Sequence, residues 1–413
     1  MVCSRTFTAG FRQKFKGRPD ATVYGVMWDS TNSSPVLRRV DQNGDNITLS
    51  QSDFDTHAVW NRKRCSIDPT SGNVTYGSNP RGDGLDYANA GYIMVEQKQA
   101  HISSWTDGDW RGWCLADKQF VGEPLGRGNA VYSEVHPVFN QRGHVGNPAL
   151  KYYAGAYGAA ANGANSLFSK KGTTVLVSVT VDNLETTRAN TIGPGWGITN
   201  VWYWALKQLL MYIEYKTFNI QSALGQGFTA AGNTAPQTTG ANDGSMGLNG
   251  SFGGTNTQSA IYRGEDAVYG GFWDFLVGLN ATASQYNILN ADGSGSANGK
   301  VKATLAAGEF TAAGVTPLQN STTGVDGYIR NLANTPATKY LFIPTSTSGA
   351  SDSTYLCDYF YTIRTNAVPS CLLGGGHWSN ASIAGPGCLT VTSAVSLSST
   401  SVGGRLEFIP PTA

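Results

Sequence analysis

Residues 374–406 read GGGHWSNASIAGPGCLTVTSAVSLSSTSVGGRL, and this stretch decides the interpretation of the chain. It overlaps residues 365–404, which contain no Asp, Glu, Lys or Arg, although the chain-wide 14% of charged residues would place about five or six in 40 positions. Apolar Leu389 and Val391 alternate with small polar residues, so a half-buried strand would pack the apolar set and expose the polar one. The flanking glycines permit tight turns. The stretch is therefore predicted to form a short strand and loops with small polar side chains facing outward.

The overall composition favours a globular, strand-rich protein over a helical bundle. The 413 residues are 40% hydrophobic and 11% aromatic, which supports a sizeable core, and 51 of them are glycine. A net charge of +1 provides no electrostatic footprint for nucleic acid or an anionic membrane. No apolar run approaches the ~20 residues of a membrane span, and residues 1–17 lack the apolar segment of a signal peptide. We therefore expect no nucleic-acid binding and no membrane insertion.

The chain is predicted to contain two parts. Residues 1–120 are expected to form a β-rich amino-terminal module for attachment or oligomerisation, and residues 130–413 a ligand-binding domain. Strand-like runs occur at residues 23–28, 92–95, 151–157 and 173–181. Two long stretches rich in Gly, Ser and Thr, residues 225–260 and 291–325, are predicted to be ordered insertions, because loops of this length in a compact domain are usually functional.

Two helices are predicted in the second part. Asp182 and Glu185 form a capping-box pattern at the start of a short helix. Thr199 or Asn200 can cap the second, longer helix. Its apolar residues recur at helical spacing, as expected for one face packed on a core: Trp202, Leu206, Leu209, Leu210 and Ile213.

Several short motifs, taken in order, resemble those of one protein family. They are Gly193-Pro194-Gly195-Trp196, Tyr262-Arg263-Gly264-Glu265, Gly271-Phe272-Trp273-Asp274-Phe275, Gly374-Gly375-Gly376-His377-Trp378, Ala384-Gly385 and Gly404-Arg405. This order is similar to GxGW, RGxE, a GNxWEW-like segment and a terminal GGxW…AG…G(F/S)R. Those motifs are typical of the formylglycine-generating-enzyme type of C-type lectin fold, and more closely of the variable proteins diversified by diversity-generating retroelements, many of them phage-encoded.

The resemblance covers residues 130–410 and has two departures. The GNxWEW-like box is degenerate in this chain, and Gly404-Arg405 lacks the intervening aromatic residue or serine. The resemblance implies an α+β, C-type-lectin-like domain in which two helices pack on a small twisted antiparallel sheet. The β-rich amino-terminal module would precede that domain.

The resemblance also implies which residues contact a ligand. Adenine-directed mutagenesis in this family produces codons that never encode Lys, Glu, Gln, Met or Trp. Between His377 and Ser401 the only residue of that set is Trp378, at the fixed tryptophan of the pattern. The predicted binding residues are His377, Ser379, Asn380, Ser382, Ile383, Thr390, Thr392, Ser393, Leu397, Ser399 and Ser401. The predicted scaffold beneath them is Gly376, Trp378, Gly385, Leu389, Val391 and Arg405.

An enzymatic role is the alternative from a different class. The oxidases of this fold hold copper with two cysteines after the GGxW motif, whereas here only Cys388 follows Trp378 and Cys371 precedes it. Soft Cu(I) needs two thiolates close together. The five histidines have neither HxxxH nor HExxH spacing. We therefore expect no catalytic residues and no cofactor, and the sequence leaves metal binding, including calcium, open.

The function predicted from these patterns is that of a phage structural protein that binds a receptor. It would lie in the virion tail or surface, contact other virion proteins and a host cell-surface receptor (protein or glycan), and form a homo-oligomer, with a trimer favoured. Two alternatives stay open. One is a cell-encoded, retroelement-diversified binding protein located in the cytoplasm, since no signal peptide is predicted. The other is a purely architectural decoration protein of the virion.

Overall fold

The computed structural model describes residues 21–87, 91–230, 232–297, 299–318, 326–363 and 369–412. Residues 1–20, where no signal peptide is predicted, and residues 298 and 319–325 of the second predicted insertion lie outside these ranges. Within them, no helix combines the length and apolar character needed to cross a bilayer. The chain is mostly sheet with few helices, which agrees at this coarse level with the predicted α+β class.

The strands are short and numerous. In chain order they are β1 (Val23–Asp29), β2 (Arg38–Val40), β3 (Lys63–Ile67), β4 (Val74–Tyr76), β5 (Ile93–Lys98), β6 (His101–Asp107), β7 (Trp110–Ala116), β8 (Val121–Gly122), β9 (Val131–Tyr132), β10 (Glu134–Val135), β11 (Lys151–Gly158), β12 (Ala160–Ala161), β13 (Leu167–Phe168), β14 (Trp196–Ile198), β15 (Trp273–Ala281), β16 (Tyr286–Leu289), β17 (Phe310–Ala312), β18 (Gly327–Tyr328), β19 (Asn331–Leu332), β20 (Pro344–Ser346), β21 (Tyr359–Tyr361), β22 (Ser370–Gly374), β23 (Leu389–Thr390), β24 (Val402–Gly403) and β25 (Arg405–Phe408). The α-helices are α1 (Gln51–Thr56), α2 (Val201–Tyr215) and α3 (Ile220–Leu224). Single helical turns occur at Pro124–Gly126, Pro137–Asn140, Asp243–Ser245, Ser294–Ser296 and Ala381–Ile383.

Three sheets make up most of the fold. The first has the order β10-β6-β7-β1-β2 and the second the order β14-β25-β11-β5-β3-β4, and both are antiparallel. The third has the order β17-β16-β15-β22-β23-β21-β18, with β24 added beside β15. It is mixed, because β21 runs parallel to β23 and β24 runs parallel to β15. The sheets are therefore more extensive than the small antiparallel sheet that was predicted.

Strands from both predicted parts of the chain hydrogen-bond in the second sheet. Strand β5 pairs with β11 in a register that sets Met94 opposite Gly155. One hydrophobic cluster includes residues from Tyr24 to Ile409. Segments 1–120 and 130–413 thus share a sheet and a core, while their division into an attachment part and a ligand-binding part stays a prediction.

Helix α2 lies in the centre of this core. Asn200, rather than Thr199, caps it, because the Asn200 side-chain oxygen accepts a hydrogen bond of 3.0 Å from the Tyr203 N–H. Residues 201–214 are all buried, so the predicted apolar stripe is only part of a contact surface that surrounds the helix. The helix ends where Lys216 adopts the left-handed conformation, with φ of 57°.

Two local predictions are wrong. A short helix does form where it was predicted, as the π-helix Asn183–Ala189, but Glu185 does not cap it, because its buried carboxylate accepts a hydrogen bond from Arg142 at 2.9 Å. Residues 173–181 do not form a strand. There Ser178 takes a left-handed conformation, with φ of 61°, and its N–H bonds to the Ser399 carbonyl at 2.9 Å.

Buried charges tie the motif residues to helix α2. Arg263 pairs with Glu214 at 2.6 Å, and Glu265 contacts both Lys207, at 3.4 Å, and Arg62. Burial opposes ionisation of Glu265, but Lys207, Arg62 and Arg405 outweigh it and lower the pKa of Glu265 to about 2. We refer to Arg62, Lys207 and Glu265 together with Arg142, Glu185 and Glu407 as the buried ionic network.

Candidate functional site

Eight of the eleven predicted binding residues line one open concavity of about 290 Å³, here called the C-terminal groove. These eight are His377, Asn380, Thr390, Thr392, Ser393, Leu397, Ser399 and Ser401. Trp273, Tyr361, Leu373 and Val402 complete the lining. This volume lies just below the ~300–1,000 Å³ of typical small-ligand sites, as expected for an open groove rather than a closed pocket.

The other three predicted binding residues lie outside the lining. The Ser379 hydroxyl is 3.4 Å from Nδ1 of His377, and the Ser382 hydroxyl is 3.3 Å from the Tyr328 hydroxyl. Ile383 is half-buried at the end of the helical turn Ala381–Ile383. All three are partly accessible, so they form a shoulder beside the groove rather than its wall.

The loop after β22 positions His377 and Asn380. Gly376 adopts φ of 79°, and a Cβ there would come within 2.9 Å of the Ala384 Cβ, so glycine is required for both conformation and space. The Asn380 side-chain oxygen accepts a hydrogen bond of 2.7 Å from the His377 N–H, which closes the turn. Asn380 therefore has a structural role in addition to its place in the lining.

The first predicted insertion holds this loop from outside. The Ala381 N–H donates to the Thr229 carbonyl at 3.0 Å, and the Asn233 side-chain amide donates to the Trp378 carbonyl at 3.0 Å. Thr229 and Asn233 belong to the stretch 225–260. This insertion thus packs as part of the support for the site.

The Ala384-Gly385 motif permits a close approach to a buried carboxylate. A Cβ on Gly385 would lie 1.8 Å from Oδ1 of Asp358, and the Gly387 N–H donates to Asp358 at 2.6 Å. Burial raises the pKa of Asp358 well above its ordinary value. Any larger residue at 385 would displace Asp358 or the loop.

Backbone hydrogen bonds fix the segment that follows β23. The Cys371 N–H donates to the Ser393 carbonyl at 2.9 Å, the Ser178 N–H to the Ser399 carbonyl at 2.9 Å, and the Trp273 N–H to the Ser401 carbonyl at 2.9 Å. None of these bonds uses a side chain of residues 391–401. These three bonds hold the segment whichever side chains face the groove, while two groove hydroxyls add longer local contacts, Thr390 with the Thr392 N–H at 3.2 Å and Ser399 with the Ser401 N–H at 3.3 Å.

The hydroxyl groups of the groove contact one another. Thr390 and Thr392 hydroxyls are 2.9 Å apart, and those of Ser399 and Ser401 are 3.1 Å apart. Thr390 is buried at the base, while the other three residues are half-buried. Each hydroxyl can donate and accept, so these pairs can rearrange to bond a polar ligand.

Five of the six predicted scaffold residues are buried. Gly376, Gly385, Leu389 and Val391 lie beneath the loops. Arg405 is fully buried, and its guanidinium donates to the carbonyls of Gly155, at 2.9 Å, and Asp266, at 2.7 Å. It thereby links β25 to β11 and to the segment after the RGxE motif.

Trp378 differs from its predicted place in the core. It is half-buried, and its ring meets His377 edge-on at a centroid distance of 4.8 Å. Within the described part of the chain its indole N–H has no hydrogen-bond partner. The tryptophan therefore lies at the edge of the site rather than under it.

A row of aromatic rings, which we call the aromatic row, was not predicted as part of the site. It consists of Tyr328, Tyr359, Tyr361, Trp273, His377 and Trp378, and successive ring centroids are 5.2, 4.7, 6.0, 6.3 and 4.8 Å apart. The alternation of Tyr359 and Tyr361 on one strand is the only signal in the sequence that could have indicated it. Trp273 was known only as part of a family motif.

The two cysteines considered for copper are separated in the third sheet. Leu373 pairs with Thr390 and Gly374 with Leu389, which places Cys388 four positions along the sheet from Cys371. At ~3.3 Å per residue the separation is roughly 13 Å, too far for two ligands of one ion. Burial raises the pKa of both thiols, that of Cys371 to about 12. In the described ranges no three His, Cys, Asp or Glu side chains gather as metal ligands.

Comparison with known proteins finds similarity to solved structures of Major Tropism Determinant variants. No protein-family model matches the chain, and no curated protein matches it. The structure is similar to the Major Tropism Determinant U1 variant, with 13% sequence identity, a TM-score of 0.29 and coverage of 93% of this chain and 82% of that one. The P3c variant matches over the same shares with 14% identity and a TM-score of 0.29. Scores this low do not establish a shared fold, so the function is argued from the residues of the groove.

Proposed function

We propose that this chain is a phage receptor-binding protein of the virion tail or surface, and that the C-terminal groove and its shoulder bind the receptor. In this proposal the domain has the C-type-lectin-like fold of the formylglycine-generating-enzyme type. It assembles as a homo-oligomer, with a trimer favoured, and carries out no catalytic chemistry. The family resemblance of the motifs supports the viral assignment.

The observation that carries the proposal is the convergence of the predicted variable residues. Eight side chains spread over residues 377–401 face one concavity, although nothing in their spacing requires it. Backbone bonds hold the segment at the carbonyls of Ser393, Ser399 and Ser401, and these bonds do not depend on which side chains face the groove. A surface whose side chains can vary while the backbone beneath them stays in place suits a protein whose binding target changes.

Cell binding by matched variants tests the proposal. The purified, fluorescently labelled chain is expected to bind some strains of a bacterial panel. Ser393→Trp should abolish binding because the indole fills the groove. Ser284→Trp, at the exposed turn between β15 and β16, should bind like wild type. Ser284 lies in the turn that follows β15 and does not line the groove.

Two results would contradict the proposal. One is the absence of binding to every strain of the panel, and the other is equal binding by wild type and Ser393→Trp. The assignment to the virion is tested separately, by the presence of tail or capsid genes beside the coding sequence and by mass spectrometry of purified particles. A neighbouring reverse transcriptase without virion genes would favour a cell-encoded diversified protein instead.

A further inference from the structure

We infer that the ligand of the C-terminal groove is a neutral glycan, bound by stacking of sugar rings on the aromatic row and by hydrogen bonds to the groove hydroxyls. This inference rests on the proposed function and specifies the chemistry of the receptor. It draws on three observations: the aromatic row, the chemistry of the lining, and the pairing of the strands that carry it.

The aromatic row offers flat faces beside hydrogen-bonding groups. Five of its six rings are half-buried and therefore partly accessible, and Trp273 and Tyr361 also line the groove. The C–H faces of a pyranose ring are apolar and pack on aromatic rings, whereas its edge carries hydroxyls. A row of rings next to a hydroxyl-lined concavity matches both surfaces of a sugar at once.

The lining contains no charged residue. Its polar groups are the hydroxyls of Thr390, Thr392, Ser393, Ser399 and Ser401, with Tyr361, Asn380 and His377. Burial lowers the pKa of His377, so its imidazole is neutral at pH 7. A sialic or uronic acid would lose its hydration here without gaining a cation, which disfavours acidic glycans.

A peptide ligand is less well suited to the groove. Of the strands that contribute to the lining, β15, β21, β22 and β23 are each paired on both sides within the third sheet. The fifth, β24, pairs with β15 alone, but its two residues are too short an edge for an extended peptide to join. The concavity is instead lined by residues with hydroxyl and aromatic side chains, which suit a glycan.

Tyrosine variants in a cell-binding assay test the stacking. Tyr361→Leu keeps an apolar side chain but removes the flat ring, and it should weaken binding about tenfold. Tyr361→Phe keeps the ring and should bind within about threefold of wild type. Tyr132→Leu removes a tyrosine that is 58% exposed and does not line the groove, so binding should not change. If a thermal melt shows that Tyr361→Leu is not folded, Tyr359→Leu is tested in its place.

Treatment of the cells identifies the class of receptor. Periodate, which cleaves vicinal diols of sugars, should abolish binding, and protease treatment should leave it intact. Binding that survives periodate but not protease would overturn the glycan inference while leaving the receptor-binding proposal standing. On an array of immobilised oligosaccharides the purified chain should select neutral over acidic ones, and selection of acidic ones or of none would also overturn the inference. Failure of cell binding alone, with neutral oligosaccharides still bound, would contradict only the proposed function.

Discussion

The C-terminal groove and the buried ionic network use polar side chains in opposite ways. In the groove the polar groups are uncharged, mostly half-buried, and bonded to one another through short-range pairs such as Ser399 with Ser401. In the network they are charged, fully buried, and bonded across long stretches of chain. Glu407, for example, accepts hydrogen bonds from Arg142 at 2.5 Å and from Tyr152 at 2.6 Å.

This difference separates the residues that hold the fold from those that, in the proposed function, contact the ligand. A buried charge without its partner is costly, so each member of the network constrains the identity of the others. A half-buried hydroxyl that loses its partner can hydrogen-bond to water instead, so a groove residue places little constraint on the identity of its neighbours. The two environments lie close together in the sequence. Ser401 lines the groove, and Arg405, four residues later, is fully buried in the protein interior. Substitutions on the two sides should have effects of very different size.

The largest effect is expected for Glu265→Gln. The change leaves Arg62 and Lys207 buried without their carboxylate, which should lower the free energy of unfolding by roughly 3–5 kcal/mol. Glu309→Gln is the matched control, because Glu309 pairs with the exposed Lys302 at the surface and should cost less than about 1 kcal/mol. Denaturant unfolding measures both. Similar losses for the two variants would contradict the view that the network stabilises the fold.

The lowered pKa of Glu265 predicts that the stability of the fold depends on pH. The pKa of Glu265 is lowered to about 2 in the folded chain from an ordinary value of 4.5. Its contribution to stability is thus fully present above pH 4.5 and is lost as the pH falls from 4.5 towards 2. The difference in unfolding free energy between wild type and Glu265→Gln should shrink over that window. A difference that stays constant down to pH 2.5 would show that ionisation of Glu265 is not its source.

Much of the fold could be predicted from the sequence, whereas the long-range contacts could not. Helix α2 was predictable because apolar residues recur at helical spacing and Asn200 is a good cap. The failure at residues 173–181 comes from Ser178, whose left-handed conformation is set by a partner at Ser399, more than two hundred residues away. The role of Glu185 likewise depends on Arg142, a pairing that local patterns do not reveal.

In the candidate site, too, local features could be predicted from the sequence and long-range contacts could not. The predicted binding residues come from one segment that resembles the family pattern; eight of them line one groove, and their role in binding stays a prediction. The aromatic row could not be predicted, because its rings come from four separate segments that meet only when β21 pairs with β23 and β15 with β22. The half-buried state of Trp378 also depends on tertiary packing, since the motif alone suggests a core residue.

A smaller effect is expected for Trp378. Truncation of a fully buried tryptophan costs ~3–5 kcal/mol, and Trp378 is half-buried, so Trp378→Ala should cost about 2 kcal/mol. Because the indole N–H has no partner in the described residues, Trp378→Phe should cost less than about 1 kcal/mol. Trp204→Phe is the contrast, since the Trp204 N–H donates to the Pro386 carbonyl at 2.9 Å inside the core. Thermal melts of the three variants check the order, and a larger loss for Trp378→Phe than for Trp204→Phe would reverse it.

The smallest effect is expected from changing the groove itself. In the triple variant Thr392→Asn, Ser393→Asn and Ser399→Asn, the carbonyls of Ser393 and Ser399 still accept their backbone hydrogen bonds, and the Ser401 N–H loses only its long contact of 3.3 Å with the Ser399 hydroxyl. The three side chains are partly exposed, and surface substitutions usually cost within about 0.5 kcal/mol each, so the melting temperature should change little. Binding should change more, because three of the hydroxyls that face the ligand are replaced. Val391→Asn, one residue away, is the matched control: Val391 is fully buried, and a polar side chain there should cost about 1–3 kcal/mol. If the triple variant unfolds as readily as Val391→Asn, the groove belongs to the folding core, and the separation between the groove and the network does not exist.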